Sequence, residues 1–229
     1  CDILEKYHVT AVELGAQSTN DKVLAMNRRG HTREDIFRSA RLLKERGFEL
    51  GLQMMTGLYG SNDEDSIGTA RDIISLSPDT ARIYPTVVIE NTELAELYRN
   101  GEYRPQTPEE AAVLCAKILP MFERAGIKVI RLGLHSGGDV EGSFVAGAYH
   151  PALREMCEGH IYFDIINRAL SGKEKGKYII YVAPREVSKA SGQRRCNIEK
   201  LRELGYECRI KENAALSARD ITLEKVNLL

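Results

Sequence analysis

The 229-residue sequence lacks any apolar run near the ~20 residues that a membrane-spanning helix needs, and its first residues show no signal-peptide pattern. It lacks net charge as well. Lys and Arg number 32 against 33 Asp and Glu, a formal charge of -1, so there is no chain-wide electrostatic argument for nucleic acid or for a membrane surface. Cysteine is sparse and scattered: Cys1, Cys115, Cys157, Cys196 and Cys208 include no two at metal-motif spacing. An odd set spread this widely argues against a disulfide framework, and the expected compartment is the cytoplasm. His135, His150 and His160 lack metal-ligand spacing, so no metal site is expected. There is no internal repeat and no low-complexity segment.

What is present is an ordinary globular balance, 43% hydrophobic and 28% charged, in a length sufficient for one large domain or a domain with a small appendix. The first residue is Cys1, and CDILEKYHV has the pattern of a helix end running into a strand, which reads as a piece of a longer protein. Strands are expected at 11–18, 48–55, 80–85 and 127–134. Between them lie helical stretches with start and stop signals. Asn20 can cap a short helix, Thr32 with Asp35 a longer one, and Thr107-Pro108-Glu109-Glu110 a third; Gly47 and Gly126 stand at the stops. Strand starts 32–47 residues apart are the spacing of βα units feeding a parallel sheet. Four such units make about half of an eight-unit barrel of ~250 residues, or else an open doubly wound sheet.

Beyond residue 135 the pattern changes. HSGGDVEGSFVAGAYHP is a Gly-rich loop leading into a helical stretch, and SGKEKGK is a linker. KYIIYVAP then reads as a strand, GQRRCNIEKLRELGY as a helix and ECRIK as the final strand. The expected fold is thus α/β, a partial TIM-type barrel of parallel strands with a small C-terminal αβ extension. Its expected boundaries are 1–135 for the half barrel, 136–172 for the connection and 173–229 for the extension.

Strand alternation puts Glu13, Gly15 and Gln17 on one face of the first strand, and Gly51, Gln53 and Met55 on one face of the second. Arg82 with Tyr84, and Arg131 with Gly133 and His135, continue that pattern on the third and fourth. Parallel strands covered on both faces read as nearly continuous apolar runs. Here one face is polar on all four strands. Buried polar groups cost several kcal/mol unless paired, so the face either lines a polar ligand or satisfies itself as a network.

ELGAQSTNDKVLAMNRRGH, LQMMTGLYG and PDTARIYPTVV resemble, in order and spacing, the fourth, fifth and sixth strands of radical S-adenosylmethionine (SAM) enzymes. The groups resembled are the oxygen-independent coproporphyrinogen III oxidase-like proteins and the catalytic subunit of Elongator, over about residues 8–135. The resemblance implies an enzyme in which a C-x3-C-x2-C loop holds a 4Fe–4S cluster that cleaves bound SAM to a 5′-deoxyadenosyl radical. No such cysteine triplet exists in this chain, so the resemblance implies SAM contacts without a cluster site. By position it implies Gln17 as a SAM contact, Arg29 reaching the SAM carboxylate, Gln53 near the ribose and Val87 as a backbone contact to adenine. Gln53 stands where the family carries an aspartate, and Tyr59 replaces the proline of a Gly-Leu-Pro-Gly turn. Glu13, Met55, Arg82, Tyr84 and Arg131 are expected toward the lumen and substrate.

In the extension, residues 171–211 hold 11 Lys and Arg against 5 Asp and Glu. Gln193, Arg194 and Arg195 lie where a helix is expected to begin, a place suited to phosphate. No aromatic RNA-stacking motif is evident. Two further readings therefore stand beside the enzyme: an RNA-binding module, tRNA being the RNA that the Elongator resemblance implies, and an unrelated βα sheet. The substrate, small molecule or RNA, is not legible.

Overall fold

A computed structural model describes residues 1–134 and 142–226. The chain forms two compact units, Cys1–Leu153 and Arg154–Leu229.

The first unit is built on a four-stranded parallel sheet in the order β1-β2-β3-β5, with β1 at Ala11–Gln17, β2 at Glu49–Thr56, β3 at Thr80–Pro85 and β5 at Lys128–Leu132. After a short α1 (Asp2–Lys6), Asn20 opens α2 (Asp21–Met26), its side chain accepting from the amides of Lys22 and Val23. Capping boxes open α3 (Arg33–Glu45) with Thr32 and Asp35, α4 (Asp63–Ser75) with Asn62 and Asp65, and α6 (Pro108–Arg124) with Thr107 and Glu110. Each closes two otherwise orphaned amide groups at a helix start. A short α5 (Glu93–Arg99) precedes α6, opened by Thr92, whose side chain accepts from the Ala95 amide.

Helices α3, α4 and α6 pack against the strands. Leu50, Leu52, Met54, Ala81, Ile83, Val129 and Leu132 are sealed on the sheet, and Ile36, Ala40, Ile73, Ile118 and Phe122 on the helices. The opposite face, with Glu13 and Gly15 exposed and Gln53, Met55, Arg82, Tyr84 and Arg131 half-buried, carries the polar set. A register shift between β3 and β5 pairs Val129 with Ala81 but Arg131 with Arg82, which leaves Ile130 unmatched and exposed and brings Arg131 alongside Arg82. His135 lies outside the described residues.

One feature escapes the periodicity. Val87–Ile89 (β4) pairs antiparallel with Phe144–Gly147 (β6), a ribbon at the end of β3. Gly147 has φ +114, and a Cβ there would stand 2.9 Å from the Thr86 carbonyl oxygen, so only glycine allows the strands to approach this closely.

The second unit holds α7 (Leu153–Leu170), β7 (Gly176–Val182), α8 (Val187–Ser191), a 3-10 turn at Gln193–Arg195, α9 (Cys196–Glu203), β8 (Tyr206–Glu212) and β9 (Ile221–Lys225). Its sheet runs β8-β7-β9, β8 parallel and β9 antiparallel to β7. Tyr162, Ile166 and Leu170 of α7 and Leu201 of α9 form one core with Tyr178, Ile180 and Val182. Two expectations are corrected here. ECRIK is not the final strand, because β9 follows it and pairs on the other side of β7. The helix expected from Gly192 begins at Cys196; Arg194 (φ 51) and Arg195 (φ 65) sit in left-handed conformations ahead of it, and Gln193, Arg194 and Arg195 form a tight turn rather than a first helical turn.

Candidate functional site

The C-terminal ends of β1, β2 and β3 bring the expected residues onto one surface. β1 ends at Gln17 in a left-handed conformation (φ 62), where the register with β2 also shifts. A Cβ at Gly15 would run into the Gln17 side-chain amide, so the glycine makes room for it to fold back. Just beyond, Ser18 and Thr19 are buried, and the Thr19 amide donates to Thr69 Oγ1 of α4 at 3.1 Å. Asn20 Nδ2 donates to Asp65 Oδ1 at 2.7 Å, which ties the turn to the start of α4.

Arg29 follows α2 and is exposed; its Nη2 donates to Met55 Sδ at 3.3 Å. Met54 is fully buried core. The His31 ring lies 3.1 Å from the Arg29 carbonyl through Nδ1 and 3.2 Å from the Ala16 carbonyl through Nε2, pinning the Arg29-Gly30-His31 turn to the end of β1. The turn after β2 keeps its glycines despite the tyrosine: the Tyr59 carbonyl accepts from Asn27 Nδ2 at 2.9 Å and its ring packs edge-on to Tyr103.

Deeper in the strands the polar groups engage one another. Gln53 Nε2 donates to Glu13 Oε2 at 3.1 Å, Arg82 Nη2 pairs with Glu13 Oε1 at 2.7 Å, and Arg82 Nη1 donates to the Tyr84 hydroxyl at 3.2 Å. These contacts raise the Arg82 pKa, with the Tyr84 hydrogen bond the largest cause. Glu13 is thus the hub of an internal network, the self-satisfying alternative for this face. The network is incomplete. Arg82 Nε is buried with no acceptor, and Arg131, whose Nε donates to the Gly133 carbonyl at 3.0 Å, makes no ion pair among the described residues. Val87 stands apart in the ribbon, its backbone beside Gly147. Gln193, Arg194 and Arg195 belong to the other unit.

The residues present suit SAM. Unengaged guanidinium hydrogens on Arg29 match a carboxylate, and the Gln53 amide oxygen remains for a hydroxyl. They do not suit a 4Fe–4S cluster. Cys115, Cys157 and Cys208 are buried and Cys1 and Cys196 partly so, and among the described residues no group of three or more His, Cys, Asp or Glu could hold a metal ion.

Residues 1–73 match the Radical SAM superfamily and residues 78–162 the Radical_SAM C-terminal domain. The chain carries radical SAM domains. It is 37% identical over 125 residues to a tRNA uridine(34) acetyltransferase of Methanocaldococcus jannaschii, covering 52% of this chain and 23% of that protein. It is 33% identical over 124 residues to Elongator complex protein 3 of Homo sapiens, covering 50% and 22%. The chain therefore spans less than a quarter of the length of these relatives. Among solved structures, the Elp3 of Methanocaldococcus infernus with an N-terminal deletion aligns with a TM-score of 0.58 and 27% identity, covering 70% of this chain and 42% of that one. This agreement identifies the parallel sheet as part of a radical SAM TIM-type fold and removes the reading of an unrelated βα sheet. Among the described residues no helix is long and apolar enough to cross a membrane.

Proposed function

We propose that the first unit supplies part of a SAM site and a substrate-facing surface to a radical SAM enzyme that acts on tRNA. The observation that carries this is the asymmetry of the sheet: one face is sealed by helices, while the other aligns Gln53, Arg82 and Arg131 in register with donors left over. A 4Fe–4S cluster would have to be held by cysteines other than those of this chain, and with SAM bound it would supply radical chemistry that begins with hydrogen abstraction.

The chain's own residues bind and orient. Arg29 pairs with the SAM carboxylate, held in reach by Met55 and by the His31 pin. Gln17 contacts SAM at the end of β1, Gln53 accepts from a ribose hydroxyl, and the Val87 backbone meets adenine at the β4–β6 ribbon. Glu13, Arg82, Tyr84 and Arg131 face the substrate. The choice of tRNA follows the name of the Methanocaldococcus jannaschii relative, a tRNA uridine(34) acetyltransferase.

The test is equilibrium dialysis of SAM against the anaerobically reconstituted, cluster-bearing protein. Arg29→Ala removes a charge-assisted hydrogen bond worth about 1.5–3 kcal/mol, so affinity falls by roughly tenfold or more, and Gln17→Ala lowers it by less. Unchanged affinity in both variants removes the assignment.

A further inference from the structure

Both family matches end by residue 162, and β7, α9, β8 and β9 lie beyond them. Cations elsewhere in the chain are commonly paired: Arg33 with Asp72, Arg46 with Asp2 and Glu5, Arg104 with Glu110. Around the outer edge of β8 they are not. An open groove of about 500 Å³ runs between that edge and α8 and α9, and Arg195, Arg209 and Lys211 line it. None of the three makes an ion pair among the described residues, and no carboxylate lines the groove. Val187, Ile198 and Ile210 supply an apolar wall and Ser191 a hydroxyl.

The cations continue onto the side of the sheet away from the core. Cys208 points into that core, so Arg209 and Lys211, which alternate with it, project from the opposite side. There Arg209 is in register with Ile179 and Lys211 with Tyr181. The Tyr181 hydroxyl donates to Glu224 Oε2 at 2.7 Å, which fixes the ring on this face. Its two nearby carboxylates are engaged, Glu224 with that hydroxyl and Glu207 with Lys177 at 3.4 Å. An aromatic ring one strand away from a row of unpaired cations is the combination that single-stranded nucleic acid uses, phosphates on the cations and a base on the ring.

We propose that the β8 edge of the C-terminal unit is a docking surface for single-stranded RNA. Arg195, Arg209 and Lys211 take successive phosphates, and Tyr181 stacks on a base. An extended acidic peptide added to the free β8 edge would use the cations but leave the ring without a role. The choice of RNA rests on the tRNA reading above.

The experiment is fluorescence polarisation of the full 229-residue chain with a labelled single-stranded RNA of about 12 nucleotides, at several salt concentrations. Arg195, Arg209 and Lys211 are exposed, so the triple variant Arg195→Gln/Arg209→Gln/Lys211→Gln keeps the fold, which circular dichroism checks. Its affinity falls by roughly tenfold or more, and the slope of log affinity against log salt shrinks by about 0.7 per lost phosphate contact. Tyr181→Leu weakens binding about fivefold or more without changing that slope. A control of equal charge, Lys22→Gln/Arg71→Gln/Arg124→Gln, leaves affinity nearly unchanged.

If the unaltered chain binds no RNA, this surface is wrong, while the tRNA reading, which concerns the cluster-bearing protein, is judged separately by whether tRNA stimulates SAM cleavage there. If it binds but the triple variant and the control behave alike, the surface is wrong while the tRNA reading stands. Equal binding of DNA of the same sequence overturns RNA as the ligand, and full competition by an oligoglutamate peptide gives the edge to a protein partner instead.

Discussion

Arg33 and Asp72 make the best-formed surface pair in the first unit. Arg33 Nε and Nη2 each donate to one Asp72 carboxylate oxygen at 2.7 Å, the planar match of guanidinium to carboxylate. The Arg33 hydrogen bond holds the Asp72 carboxyl below its ordinary value of 3.8, and partial burial pushes the other way without prevailing. A carboxylate depressed in the folded state adds stability that is fully present above that ordinary value and is lost as pH falls beneath it. Asp72→Asn should therefore lower stability at neutral pH by about 0.5–1 kcal/mol, given how much of the pair is exposed. The gap to the unaltered chain should close in melts run from about pH 4 downward. A gap that stays constant into acid would assign the loss to packing.

The same scale shows what was hidden in the candidate site. That Glu13, Gln53, Arg82 and Tyr84 share a face follows from alternation along each strand. That Glu13 binds Gln53 and Arg82 at once depends on the registers β1–β2 and β2–β3, set between residues about 30–70 positions apart. Pattern along one strand carries no information about a neighbour's offset.

Among the elements, helix starts were the most legible because their chemistry is local. Thr32 and Asp35 exchange hydrogen bonds within four residues: the Asp35 amide donates to Thr32 Oγ1 at 3.3 Å, and the Thr32 amide donates to Asp35 Oδ2 at 3.0 Å. Thr32→Ala should cost ~1 kcal/mol in chemical denaturation, with the fold retained. A loss below a few tenths would mean that Asp35 alone closes the helix end. The β4–β6 ribbon had no such mark. Its strands are three and four residues long, too short for a period of two to register, and its partner lies some 55 residues away. β9 was missed for a related reason: Ile221, Leu223 and Lys225 alternate over only five residues, and one of the three is charged.

At the scale of the whole molecule, cysteine placement is testable directly. Cys115 and Cys208 are buried in separate units, and burial pushes their thiols up to about 12 and about 11. The thiolate is the reactive form, so both should resist alkylation at neutral pH, as should buried Cys157. Cys1 and Cys196, partly exposed, should label. Mass spectrometry after brief treatment with iodoacetamide should find two modified cysteines in the native chain and five after unfolding. Early labelling of Cys115 would mean that the first unit opens far more readily than its packing implies. The near-zero net charge of the sequence is also a whole-molecule quantity, and it averages away a basic segment at 171–211.

The two left-handed arginines bear on that segment in another way. Placing a side chain in this conformation costs roughly 1–2 kcal/mol relative to the ordinary helical region, a cost that glycine at Arg194 or Arg195 would not incur. The turn before α9 is thus held in a shape that its own residues disfavour. Strain of this kind persists only where the surroundings impose it, and a sequence optimised for stability alone would shed it. Stability and charge display pull in opposite directions at these two positions.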